Sequence, residues 1–320
     1  MNTPDRKPLI GNAAGIVCML LWAANFPLAV SVLKHWDALA FAPVRLMLAG
    51  LTVLIFTALA GQLGAARQLL AESRFVFASL VFGVSALLFI SAQARVDAVS
   101  AAVVVSSMPI WSALLGWLDG SEKPGLRLLV ALVLTVAGGV LTSLVSAQGS
   151  GSEGSWTGIG LMLGAVIFYV WYSRDMVLRY AHYPDIAKTS ASMLLASLPA
   201  FAVLAGAFAL GHDLRADFST PVLVEIVLLV CVAIAGSAVL WLWTGRMIGV
   251  TVAAMHHNMV PFYVIVLAAL GGAVVTGQHV MGALLVVAGA AIAQLRPRER
   301  KAGVTQPVPA GRKTREEPLR

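Results

Sequence analysis

The chain alternates long apolar runs with short polar or charged breaks, and the runs are unbroken, as from Val76 to Ala94 or Val222 to Trp243. A helix needs about 20 such residues to cross the hydrocarbon core. Ten stretches qualify: roughly 11–33, 39–60, 75–94, 98–118, 126–146, 157–173, 188–210, 222–243, 248–270 and 277–295. A transmembrane barrel would show short alternating segments instead, so helices remain as the way to satisfy the backbone in lipid. The pattern predicts an all-α integral membrane protein with ten transmembrane helices.

The runs also repeat. Five precede the polar stretch Ser146 to Ser155 and five follow it, with landmarks recurring in order: Gly15-Ile16 with Gly158-Ile159, Asp37 with Asp185, Ala94-Arg95 with Gly245-Arg246, Pro109 with Pro261, and Ala137-Gly138 with Ala288-Gly289. An odd number of spans per copy makes the second cross in the opposite sense to the first, the inverted-repeat arrangement of secondary transporters. The expected divisions are an N-terminal segment 1–10, a first five-helix repeat 11–146, a flexible external linker 147–156, a second repeat 157–295 and a basic, disordered tail 296–320.

Composition agrees, since 59% hydrophobic and 12% charged residues leave too little polar surface for a soluble globule. The net charge is +7, but the tail holds 8 of the 22 basic and 3 of the 15 acidic residues, leaving +2 for the rest. With the amino terminus inside, 18 basic residues fall on the cytoplasmic side against Lys34, Arg95 and Arg215 outside. The positive-inside rule thus places both termini in the cytoplasm, and the tail suits anionic membrane lipids, not nucleic acid. The first run exceeds a signal-peptide core and carries Trp22, Asn25 and Pro27, so it is expected to stay as the first helix. Cys18 and Cys231 fall within spans and imply no disulfide.

The stretch Leu20 to Pro27, LLWAANFP, followed by Pro43-Val44-Arg45-Leu46 and the paired third-to-fourth-helix segments, resembles the EamA-like transporters of the drug/metabolite transporter superfamily over about residues 10–296. The resemblance implies ten helices in two repeats, a bacterial cytoplasmic (inner) membrane, and movement of small metabolites, often amino acids and commonly outward. Phe168 stands where Trp22 stands and Met193 where Arg45 stands, so those polar landmarks are not duplicated.

Mid-span polar residues are the candidates for chemistry. Arg45 lies about six residues inside the second helix, where an Arg costs roughly 2.5–3.5 kcal/mol on insertion scales. No carboxylate occurs at matching depth, so helix-end carbonyls or a substrate anion are the candidate compensation, and Arg45 either braces the fold or binds substrate. In His256-His257-Asn258, adjacent side chains point about 100° apart, so the imidazoles do not face one another, while His256 shares a face with Tyr263. The histidines either bond neighbouring helices or bind substrate or move a proton near neutral pH.

Pro27, Pro43, Pro109, Pro199 and Pro261 are expected to interrupt their helices. Ser106 and Ser107 precede Pro109 as His257 and Asn258 precede Pro261, and the two segments are expected to face each other across a cavity. Trp22, Asn25, Trp111, Tyr169, Tyr172 and Trp241 complete the expected lining, with Gln93 extending a stripe through Ser85 and Phe89. Trp36 and Trp156, at span ends, read as interface-belt groups. Helices five and ten carry small residues at four-residue spacing, Ala131, Thr135 and Gly139 in one and Gly289 and Ala293 in the other, and read as peripheral packing or homodimer surfaces.

The reading is a secondary exporter of a small polar metabolite, such as an amino acid or related compound, working by alternating access. No GxxxxGK[ST] loop is present to use ATP, and no cofactor or metal is called for. The rival, an intramembrane enzyme using the histidines, lacks HExxH and GxSxG signatures.

Overall fold

The computed structural model describes residues 7–120, 126–150, 152–248, 256 and 258–294. The helices of the first half are α1 Lys7–Val32, α2 Ala38–Leu59, α3 Leu63–Leu70, α4 Ser73–Gln93, α5 Ala98–Val105, α6 Met108–Leu118 and α7 Leu126–Ser150. The second half has α8 Ser152–Arg179, α9 Asp185–Ala209, α10 Thr220–Val227, a π-helical stretch Leu228–Ile234, α11 Ala235–Ile248, α12 Val260–Leu270 and α13 Gly277–Gln294. Among the described residues there is no strand beyond one isolated bridge.

Among the described residues seven segments are long and apolar enough to cross a membrane: Leu9–Val32, Ala38–Leu59, Ser73–Gln93, Ala98–Leu118, Trp156–Arg179, Asp185–Ala209 and Thr220–Trp241. The remaining three expected spans contain shorter apolar helices, Leu129–Leu141, Val260–Leu270 and Gly277–Gly289. Ile55, Phe77, Val133 and Val266 are exposed on the bundle's outside, which is ordinary against lipid tails and costly in water.

Three of the five prolines do not interrupt anything. Pro27, Pro43 and Pro199 lie inside the unbroken α1, α2 and α9, because a packed membrane bundle can re-satisfy the carbonyl each one frees. The breaks come at Pro109 and Pro261, each in the first turn of a new helix, α6 and α12. There the missing N–H is one that a helix start would leave spare. The expected fourth span is therefore two helices joined at Ser106-Ser107, and α12 begins only after Asn258-Met259. The expected linker is also mostly helical, since α7 runs to Ser150 and α8 starts at Ser152. Once formed, a helix extends into polar residues at the small cost of their weak propensity.

α2 packs along α9, α4 along α8 and α9, α1 along α11 and α12, and α7 along α13. Glycine permits the tightest approaches. A Cβ at Gly83 would collide with the Ala196 backbone, and one at Gly138 would stand 2.7 Å from the Gly282 carbonyl oxygen. Helices five and ten thus pack on each other through Gly138 and Gly282, while a Cβ at Gly139, on the small-residue face read from sequence, would meet open space.

The two ends of the bundle are tied differently. At one end Trp36 and Ala216 form the antiparallel bridge, Asp37 N donates to Arg215 O at 2.9 Å, and Arg215 N donates to the Asp37 carboxylate at 2.7 Å. Trp36 is no interface-belt residue. It is 4% exposed, donates from Nε1 to Asp217 O at 2.7 Å and meets Phe41 and Phe218 edge to face, because loop docking consumes its polar tip. Trp156 is exposed, as that reading expects. The other end is laced by ion pairs: Arg74 to Asp175 at 3.0 Å, Arg179 to Asp175 at 2.9 Å, Arg174 to Asp119 at 2.8 Å and Lys188 to Asp185 at 2.7 Å.

Candidate functional site

The helices leave an internal cavity of about 440 Å³, within the ~300–1,000 Å³ usual for ligand sites. Both halves contribute walls: α1, α2, α4 and the start of α6 from the first, α8, α9, α11 and Asn258 from the second. Of the residues singled out from sequence, Trp22, Arg45, Tyr169, Tyr172, Trp241 and Asn258 line it, as do Ser85 and Phe89 of the α4 stripe.

Arg45 is 8% exposed and donates from one guanidinium nitrogen to Asn25 Oδ1 at 2.9 Å. Its guanidinium carbon lies 5.2 Å from the centroid of the Phe89 ring, within cation–π range. The compensation within the protein is a side-chain amide and an aromatic face, where helix-end carbonyls or a substrate anion were the expected candidates. Asn25 itself is fully buried, does not line the cavity, and has no partner for Nδ2 among the described residues. Its part is to aim Arg45.

Several candidates face elsewhere. The Ser106 and Ser107 hydroxyls donate to the carbonyls of Ala102 and Val104, at 2.9 and 2.6 Å, and Trp111 Nε1 donates to Ser107 Oγ at 3.0 Å. Both hydroxyls fold back on carbonyls at the end of α5 that already accept the serines' own backbone N–H groups, and Met108 lines the wall. Gln93 is 2% exposed, off the cavity, with neither amide atom partnered among the described residues. The His256 ring packs on Gly15, 3.1 Å from where a Cβ there would stand, and Tyr263 packs into the apolar core. Neither lines the cavity. His257 lies outside the described residues. The two proline-led segments therefore meet the cavity through Met108 and Asn258.

Other lining residues carried no individual signal. Phe82 stacks on Tyr172 with centroids 4.7 Å apart and planes 11° apart. Cys18, read as an apolar filler, lines the wall and donates from Sγ to Ser237 O at 3.2 Å. Met193, the repeat counterpart of Arg45, faces the same cavity; the repeat register was its signal. Phe168, the counterpart of Trp22, is exposed, while its neighbour Tyr169 lines the wall. Ile234 ends the π-helical stretch, and Ser237, Ala238 and Trp241 follow on the wall. π-Helical insertions recur at functional sites, yet LLVCVAI holds no Gly or Pro to announce one.

Arg45 and Phe89 form the part of the cavity nearest the Trp36 end, and Thr189 and Ser173 reach toward the opposite one. There a second cavity of about 200 Å³ shares Met108, Tyr169 and Ser173 with the first and extends to Arg174. Arg174 donates to Ser112 O at 3.1 Å as well as to Asp119. Among the described residues no three His, Cys, Asp or Glu gather as a metal ion would need.

No curated protein matches the chain. Fourteen solved chains match it; one, titled only "Crystal structure of protein", is 16% identical, covers 88% of this chain and 96% of its own, and superposes with a TM-score of 0.62. That likeness is one of fold. The profile of the EamA-like transporter family matches residues 9–144. With its apolar helices, the chain is a multi-pass membrane protein whose residues 9–144 carry the EamA-like transporter signature, consistent with membership of the drug/metabolite transporter superfamily.

Proposed function

We propose that the protein is a secondary transporter that carries a small polar metabolite, an amino acid or related compound, by exposing one central site to each side of the membrane in turn. The observation that carries this is the cavity around Arg45: it is walled by both halves, and a second cavity that shares Met108, Tyr169 and Ser173 with it extends to Arg174. A mid-span site between two halves is what an alternating-access cycle requires.

Helix pairing supports two inverted five-helix repeats. Exchanging the halves sends the α2–α9 pair to itself, α4–α8 to α11–α1, and α6–α8 to α12–α1, and all of these pairs are in contact. The distribution of basic residues supports cytoplasmic termini. The outward direction and the bacterial inner membrane rest on the family resemblance.

Counterflow tests the proposal. Proteoliposomes preloaded with an unlabelled metabolite should accumulate the labelled form transiently and return it chemically unchanged. Conversion of the solute, or no exchange of any amino acid or organic acid offered, overturns it.

A further inference from the structure

Among the described residues Arg45 is the one charged side chain lining the main cavity, and no carboxylate there pairs with it. The neighbouring stretch 249–255, GVTVAAM, contributes no acid by sequence. Among the described residues every Asp and Glu stands near a helix end or in a loop. The polar groups that share the wall with Arg45 are neutral, among them Ser85, Ser173, Thr189 and Asn258.

From this one-signed cavity we infer that the substrate is an organic monoanion with an apolar, planar body, bound in preference to the zwitterionic amino acid of the same shape. The inference rests on the proposed transport function and narrows its substrate class. A carboxylate matches the planar fork of a guanidinium in charge and geometry. An ammonium entering the same cavity gives up its water, meets a like charge and finds no carboxylate in return, the costly case for a buried ion. The aromatic faces of Trp22, Phe82, Phe89 and Tyr172 suit a planar body. Asn25 is a positioning residue: it lies off the cavity wall, and its Oδ1 accepts from the guanidinium at 2.9 Å.

The test uses the purified full-length protein and three probes with one phenyl group in common: 3-phenylpropanoate, L-phenylalanine and 2-phenylethylamine. Titration calorimetry should find 3-phenylpropanoate binding about tenfold or more tighter than L-phenylalanine, a difference of about 1.4 kcal/mol, with 2-phenylethylamine weakest. Asn25→Asp is near-isosteric and sets a carboxylate beside the guanidinium at the 2.9 Å contact. It should weaken 3-phenylpropanoate about tenfold and abolish its advantage over L-phenylalanine. Arg45→Lys, which keeps the charge without the fork, should fall between.

Three results overturn the inference: L-phenylalanine binding as tightly as the anion, no binding of 3-phenylpropanoate, or an unchanged preference in folded Asn25→Asp. Counterflow with the same probes separates the two readings. Exchange of L-phenylalanine without 3-phenylpropanoate sinks the anion inference and leaves transport standing. Binding of the anion with no exchange of any probe does the reverse.

Discussion

Arg45 and Asn25 stand 20 positions apart in sequence and 2.9 Å apart in space. That a mid-span arginine needs compensation is legible from its position, because the cost of a charge in lipid belongs to the residue. Which group compensates it depends on how α1 lies against α2, and no local pattern encodes that. Asn25→Leu strips Arg45 of its acceptor and is expected to cost about 1–3 kcal/mol, read as a lower unfolding temperature in detergent. Met193→Leu, a volume-conserving change on the same wall, should cost less than about 1.5 kcal/mol. A second residue-scale expectation concerns acid. The Ser219 backbone N–H, then its hydroxyl, and the nearby His35 hold the Asp217 carboxyl below the ordinary carboxylate range. A depressed carboxylate contributes stability above its unfolded pKa of about 3.9, and that contribution is lost as pH falls through the lower folded value. The turn at Asp217 should therefore stay ordered at pH 5 and loosen below about pH 4, seen as a lower hydrogen-exchange protection factor at the Ser219 amide, which donates to the Asp217 carboxylate. Asp217→Asn should show the lower protection already at neutral pH.

Among elements, apolar length and breaks were legible to different degrees. The long spans followed from hydropathy, because lipid demands continuous apolar helix. Proline was an ambiguous mark: the same residue lies inside α1, α2 and α9 and at the starts of α6 and α12. What separates the cases is whether neighbouring groups satisfy the freed carbonyl, a property of packing. Ser106 and Ser107 were rightly paired with the break at Pro109, but their hydroxyls serve α5 and not a ligand. Close helix approach is more local and more testable. Gly83→Ala drives a methyl into the Ala196 backbone, which cannot rotate aside, and is expected to destabilise by about 1–3 kcal/mol. Gly64→Ala, with open space around its Cβ position, should be neutral or stabilising by up to about 1 kcal/mol. Thermal unfolding of both in one detergent makes the comparison.

For the whole molecule, the proposed repeat was legible as landmarks that recur in the same order along the chain. Its imperfections were readable in the same way: Arg45 and Met193, which stand at matching positions, face the same cavity, so the proposed symmetric frame holds an asymmetric charge. The tie at one end was not readable, because the Trp36–Ala216 bridge joins loops from different halves. It gives the proposed cycle a direct test. Residues beside an antiparallel bridge come close enough for a disulfide, so the double variant Asp37→Cys, Arg215→Cys should cross-link on oxidation. Counterflow should stop while the bond persists and return with reductant; undiminished exchange in the oxidised protein would show that this end need not part.

The π-helical stretch Leu228–Ile234 is the repeat's other broken symmetry, since its counterpart α4 is α-helical throughout. A wide turn holds a surplus residue within the span. Returning it to α-helical pitch would rotate all that follows by about 100° per residue released. Ser237, Ala238 and Trp241 would swing off the cavity wall together while the backbone stayed hydrogen-bonded. In the proposed cycle this run of plain aliphatic residues would be the bearing on which one wall of the cavity turns.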